Sequence, residues 1–315
     1  MSHFTVLVVL PKDTADVDAA LGEALAPFDE NMETAPRKDY IEDWQGQYGR
    51  ALKYYTDHPG ELTPGTDELN VAALLSEFNR TTVTEETSED GTGVMYYKMT
   101  TYNLDSKWDW YQVGGRWHEY FPLKSEGIGD PRIVGGERSL VAVHQDPLRK
   151  PKPSYADGGP RGLLDLEFKR IESADTAGAE WDEWHAFAAD FPPARPWSYY
   201  VDLFADEITK AREQYGAQPL VQAFRKDRSH KWLFGDPISQ FSGTREDYVQ
   251  TARDAAVPGF ALLTLDGHWV APGEMGWFGV SSDNPDTRSA YHKRVNSYID
   301  DLDPEAIVVL VDAHI

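Results

Sequence analysis

The chain opens and closes on β-branched apolar runs, and this pairing of ends constrains its fold more than any other feature. His3 to Leu10 (HFTVLVVL) stops at Pro11 and reads as a buried strand, because side chains branched at Cβ suit a pleated surface. Asp13 to Phe28 then sets Val17, Ala20, Leu21, Ala24 and Leu25 at helical spacing, after Asp13 or Thr14 as a cap. At the far end, Arg288 to Ile299 carries Tyr291, Val295 and Tyr298 on one helical side, and Ile307 to Val311 is a second β-branched run leading to Ile315. A β-α start and an α-β finish commonly lie side by side in one sheet. The fold class expected is therefore α+β, with a ferredoxin-like β-α...α-β core formed by the two chain ends and long helical and β-hairpin insertions. One compact unit, 1–315, is expected, with a flexible loop at about 148–162, where prolines and glycines concentrate.

Between the ends, Tyr40 to Tyr55, Asp67 to Phe78, Ala174 to Ala189 and Tyr199 to Tyr215 predict helices. Val94 to Tyr102, Trp108 to Val113 and Trp117 to Leu123 predict strands, the last two joined by Gly114-Gly115 as a tight hairpin. Asp266-Gly267, between Phe260 to Leu265 and Trp269 to Ala271, predicts another.

A chain of 315 residues with 41% hydrophobic content can fill a sizeable core. Its formal charge of −23, from 30 basic and 53 acidic residues, repels phosphate backbones and anionic membranes, so neither nucleic acid nor a membrane is expected as a direct partner. With no cysteine, disulfides, cysteine-ligated zinc and thiol nucleophiles are excluded. The N-terminal run lacks a basic leader, and no stretch reaches the roughly 20 apolar residues that span a bilayer. A cytoplasmic location is expected.

Three groups of residues could carry chemistry. The block Ser106 to Trp117 packs Trp108, Trp110 and Trp117 around Asp109, Gly114, Gly115 and Arg116. The tryptophans could stack a planar ligand while Arg116 grips a phosphate or carboxylate and the glycines admit the backbone closely. Alternatively, the tryptophans are core and Arg116 pairs with Asp109. The segment Gly273 to Gly279 repeats this vocabulary, and Glu274 and Trp277 could complete the same pocket. The third group is terminal: His3 starts the first strand, while Asp312 and His314 share a face of the last. If those strands are neighbours, the three converge as acid-base groups or as ligands suited to Zn or Mn. His3-Phe4-Thr5 also fits the His-x-Thr pattern of two-histidine phosphoesterases, but no second copy exists in the chain.

With these residues laid out, the sequence resembles a family of uncharacterised proteins of phages and prophages. The resemblance rests on Met1-Ser2-His3-Phe4-Thr5-Val6, Leu25 to Phe28, Lys107 to Trp117, Gly273 to Gly279 and the closing Val311-Asp312-Ala313-His314-Ile315. Ala313 stands where that family often has cysteine, which argues against an obligatory thiol there. The resemblance implies a phage-type accessory protein acting in a host cytosol, and it names no cofactor. The function expected is binding, with hydrolysis as an extension, of a small anionic or nucleotide-like ligand. The alternative is a non-enzymatic module, an inhibitor or mimic, that binds a host protein through an acidic, aromatic surface.

Overall fold

In a computed structural model of the chain, residues 2–138, 150, 152–226, 235–276 and 280–315 are described. The two ends pair as the sequence predicts. β1 (His3–Leu10) runs antiparallel to β12 (Ile307–His314), in register from His3 opposite His314 to Leu10 opposite Ile307. On one face of this pair, Leu7, Val9, Val308 and Leu310 form a core with Tyr291, Val295 and Ile299 of the Pro285–Asp301 helix. On the other face Val6, Val8, Val309 and Val311 are fully buried, and the Val17–Leu25 helix packs along β1. Burial on both faces explains the near-continuous apolar runs. Each such side chain contributes ~1.5–3 kcal/mol, which secures the register of the terminal strands.

The fold is mixed α+β, and the chain divides into two compact units where the sequence reading expects one. The first unit is Met1–Leu25 with Trp110–Ile315, and the second is Ala26–Asp109. In the first, β10 (Ala261–Leu263) joins β1 in parallel and β11 (Trp269–Val270) closes a hairpin on it at Asp266-Gly267, as expected. On the other side, β5 (Trp110–Gly115) and β9 (Gly158–Pro160) both pair with β12, and β7 (Glu137–Arg138) extends β5. A separate pair joins β6 (Phe121–Pro122) to β8 (Tyr155–Ala156). The helices after them build an aromatic core from Trp181, Trp184, Tyr215, Phe224 and Phe241.

The second unit is a three-stranded antiparallel sheet, β2 (Arg37–Tyr40), β4 (Val94–Thr100) and β3 (Val83–Thr87), in that order. Its helices Trp44–Asp57 and Val71–Asn79 begin where Asp43 accepts from Gly46 N–H and Asn70 from Ala73 N–H. These caps start the helices later than periodicity alone suggests. The unit's two ends meet each other, with Lys107 N–H donating to Phe28 O at 2.7 Å and Glu30 N–H to Trp108 O at 2.8 Å.

Three expectations are corrected. Gly114-Gly115 joins no hairpin, because β5 pairs with β12 and β7 while the residues after it leave the sheet. The loop at 148–162 carries β8 and β9, apart from Leu148, Arg149 and Pro151, which lie outside the described residues. The helix over 199–215 is two, Trp197–Leu203 and Ile208–Gly216. Among the described residues no helix is long and apolar enough to cross a membrane.

Candidate active site at the open end of the terminal strands

Antiparallel pairing puts directly opposed residues on one face, so His3 and His314 lie together, as do Thr5 and Asp312. The face that is apolar at Leu7 and Val9 thus turns polar at its open end. His3 Nδ1 lies 2.8 Å from Asp312 Oδ1, and the rings of His3 and His314 meet edge to face at 4.9 Å between centroids. The Asp312 carboxylate is fully buried, and its other oxygen, Oδ2, accepts the Arg116 N–H at 2.9 Å. A buried carboxylate is tolerated only when hydrogen-bonded, and it accepts rather than donates, so His3 Nδ1 carries the proton of this contact. That fixes the ring and leaves Nε2 as the nitrogen able to take a proton. Nε2 has no hydrogen-bond partner among the described residues, and the His3 side chain is 16% exposed.

A second pair of the same kind lies further along the strap that follows β5. His118 Nδ1 is 2.8 Å from Asp157 Oδ2, and Asp157 is also fully buried. Its oxygens accept from Glu119 N–H at 2.5 Å, Tyr120 N–H at 3.3 Å and Gly136 N–H at 2.8 Å. The strap Gly114 to Tyr120 is therefore pinned at both ends by buried carboxylates, each holding a histidine.

These carboxylates account for the glycine pair. Gly114 and Gly115 have φ of +72° and +53°, the left-handed region that favours glycine. A Cβ on Gly114 would stand 2.7 Å from the Asp157 carboxyl carbon, and one on Gly115 would overlap the Asp312 carboxylate. The pair turns the chain, with Trp117 N–H donating to Gly114 O at 2.9 Å, but the turn serves the carboxylates and no returning strand. Composition cannot separate these two uses of Gly-Gly.

The tryptophan block is divided. Trp108 and Asp109 belong to the second unit, where Trp108 is buried. Trp110 opens β5 in the first unit, 46% exposed, with its ring 6.1 Å from that of His3. Trp117 packs against the main core. The strand expected over Trp108 to Val113 begins only at Trp110. Arg116 presents an exposed guanidinium with no ion pair among the described residues, and its backbone serves Asp312.

Glu274 is exposed, and its segment folds back on itself, with Ser282 N–H donating to Glu274 O at 3.0 Å and Gly276 N–H to Val280 O at 2.9 Å. Trp277 lies outside the described residues. Ser2 Oγ donates to Gly276 O at 3.0 Å, which ties this segment to the start of the chain beside His3. A cavity of about 320 Å³ opens there, lined by Thr5, Phe260, Met275, Arg288, Tyr291 and His292 among others. Neither Glu274 nor Arg116 lines it. Thr5 does, standing opposite Asp312 on the His3 face.

Sequence reasoning found His3, Asp312 and His314 but missed His118–Asp157, whose only signal was an aspartate followed by glycines in Ala156-Asp157-Gly158-Gly159. Among the described residues no three His, Asp or Glu side chains are grouped to hold a metal ion, so the Zn or Mn reading of the terminal group finds no donor set. The His3 nitrogen nearest Asp312 is already spent on that carboxylate. No family model, no curated protein and no solved structure matches the chain.

Proposed function

We propose that the first unit hydrolyses a small anionic, nucleotide-like ligand at the open end of β1 and β12, with His3 as its acid-base group. The observation that carries this reading is the His3–Asp312 pair, in which a buried carboxylate orients a partly exposed imidazole. Held this way, His3 Nε2 takes a proton from water as the water oxygen bonds to phosphorus. The phosphorus–oxygen bond to the leaving group then breaks, and the proton passes to the departing oxygen. Arg116 supplies a cation for the phosphoryl oxygens, and exposed Trp110 offers an aromatic face. His118, oriented by Asp157, is a second proton-transfer group of the same build.

The phage setting and host cytosol implied by the resemblance belong to this proposal. So does the ferredoxin-like reading of the terminal nucleus, supported by the antiparallel pairing of β1 and β12. The test is turnover of nucleotides and of bis-p-nitrophenyl phosphate by the purified chain. His3→Ala is expected to lower kcat by about 100-fold or more, in line with loss of a positioned acid-base group. Arg116→Ala is expected to raise KM with the fold intact. An unchanged rate in His3→Ala, or no turnover of any phosphoester by the whole chain, would sink the reading.

A second reading, a module that binds a host protein, is favoured by the exposed Leu69, Met99, Tyr102 and Leu104 of the second unit and by the −23 charge. One stoichiometric partner recovered from host lysate, and lost when Leu104 and Tyr102 become serine, would support it.

A further inference from the structure

The cavity beside Thr5 holds a feature that the acid-base reading does not use. Tyr291 is 4% exposed and lines the cavity, and its hydroxyl is the one buried side-chain polar atom among the described residues without a hydrogen-bond partner. Buried hydroxyls nearly always find partners, because an unmet one forfeits its hydration for nothing. A fold that keeps such a donor at the wall of a 320 Å³ cavity has an acceptor to meet there.

The remaining walls define what that acceptor is attached to. Phe260, Met275 and Pro258 are apolar and two of them broad. Burial pushes the Tyr291 hydroxyl up, so it stays a donor, and burial with the nearby Arg288 pushes His292 down, toward its neutral form; Asp254 and Asp283 oppose that shift in His292. Arg288, the cation at the cavity, is already held by the buried Asp283 carboxylate at 2.5 Å. The cavity therefore offers an apolar side at Pro258, Phe260 and Met275, one fully buried hydroxyl without a partner, and a cation already paired with Asp283.

We propose that this cavity seats a planar, uncharged heteroaromatic ring whose carbonyl or ring nitrogen accepts the Tyr291 hydroxyl proton. The inference deepens the preceding reading, on which it rests only for linking the ring to the reacting group. Thr5 makes that link geometric, because it lines the cavity and faces Asp312 across the β1–β12 pair, two residues from His3.

The experiment uses the whole chain with uracil and hypoxanthine as probes and toluene as the apolar control, titrated by calorimetry and ligand-observed NMR. Uracil or hypoxanthine is expected to bind saturably, and Tyr291→Phe to weaken that binding at least tenfold while leaving toluene unaffected. The thermal midpoint of ligand-free Tyr291→Phe is expected to equal or exceed that of the wild type, since the hydroxyl meets no protein partner. Met275→Trp, which fills the cavity from its loop side, is expected to abolish ring binding. His3→Ala is expected to retain it, so that failed turnover and failed ring binding are separate results. Absence of binding by both rings, equal affinity in Tyr291→Phe, or a lowered midpoint in that variant would each overturn the proposal.

Discussion

Two glycines at the end of β5 decide whether the candidate site exists, because each stands where a buried carboxylate leaves no room for a methyl group. Gly115→Ala is expected to cost roughly 2–3 kcal/mol, combining the left-handed backbone with displacement of Asp312. Urea unfolding checks the figure, and a loss below ~1 kcal/mol would show that Asp312 moves aside freely. The same variant displaces the Asp312 carboxylate that holds the His3 ring, so the ring's NMR line positions should change with it. At this scale the sequence was half legible. His3, Asp312 and His314 could be joined because strand alternation is a rigid rule and the terminal runs left little choice of neighbour. His118 and Asp157 could not, since 39 residues separate them and no periodicity connects a strap to the edge of a short strand.

Among the elements, Leu166–Ala188 carries the clearest internal tension. Its Lys169 donates from Nζ to Tyr120 O at 2.7 Å and lies 3.7 Å from the Tyr120 ring centre, and burial pushes its amine from 10.5 down to about 8. Because the folded-state value is depressed, both states are protonated below pH 8 and the cost of burying the charge is fully felt. Between pH 8 and 10.5 the unfolded chain binds more protons, so stability rises with pH. The gain is of order 2 kcal/mol after allowance for partial exposure. Denaturation midpoints from pH 8 to 9.5, below the range where tyrosines ionise, are expected to climb for the wild type and to stay flatter for Lys169→Met. Parallel slopes would place the titrating group elsewhere.

Element boundaries were legible where a cap announces them. Asn284 accepts from Asp286 and Thr287 N–H and starts the Pro285–Asp301 helix close to where spacing predicts it. They were illegible where tertiary contact overrides propensity. Gly158-Gly159-Pro160 reads as loop, yet it forms β9, because a Cβ on Gly158 would stand 2.6 Å from Val308 O and only glycine lets the strands approach. The break at Phe204–Glu207 contains neither glycine nor proline, and nothing local announces it.

For the whole molecule, the division into two units follows from where hydrogen bonds close. The second unit's ends clasp each other through Phe28, Glu30, Lys107 and Trp108, and its cores form around Ile41, Leu75, Val83 and Tyr96 and around Ala51, Tyr55 and Leu74. Ala26 to Asp109 is therefore expected to unfold cooperatively when expressed alone. In turn, a chain with 29–107 replaced by a short Gly-Ser linker is expected to keep the first unit's thermal transition and the His3 resonance. Loss of cooperativity in either piece, followed by calorimetry, would show that the units depend on each other. The sequence could not announce this division, because the meeting of Phe28 and Glu30 with Lys107 and Trp108 is a contact between distant residues that no local pattern encodes.

The antiparallel ends have one more consequence. Ser2 and Ile315 exchange both backbone hydrogen bonds at 3.0 Å, so the chain's two ends leave the sheet side by side. A mechanical load applied across them meets the ladder in unzipping geometry, breaking one rung at a time instead of shearing all eight registered pairs together. The first rung is Ser2 with Ile315 and the next pair is His3 with His314, so tension too weak to unravel the apolar remainder of the pair would part the histidine from its carboxylate.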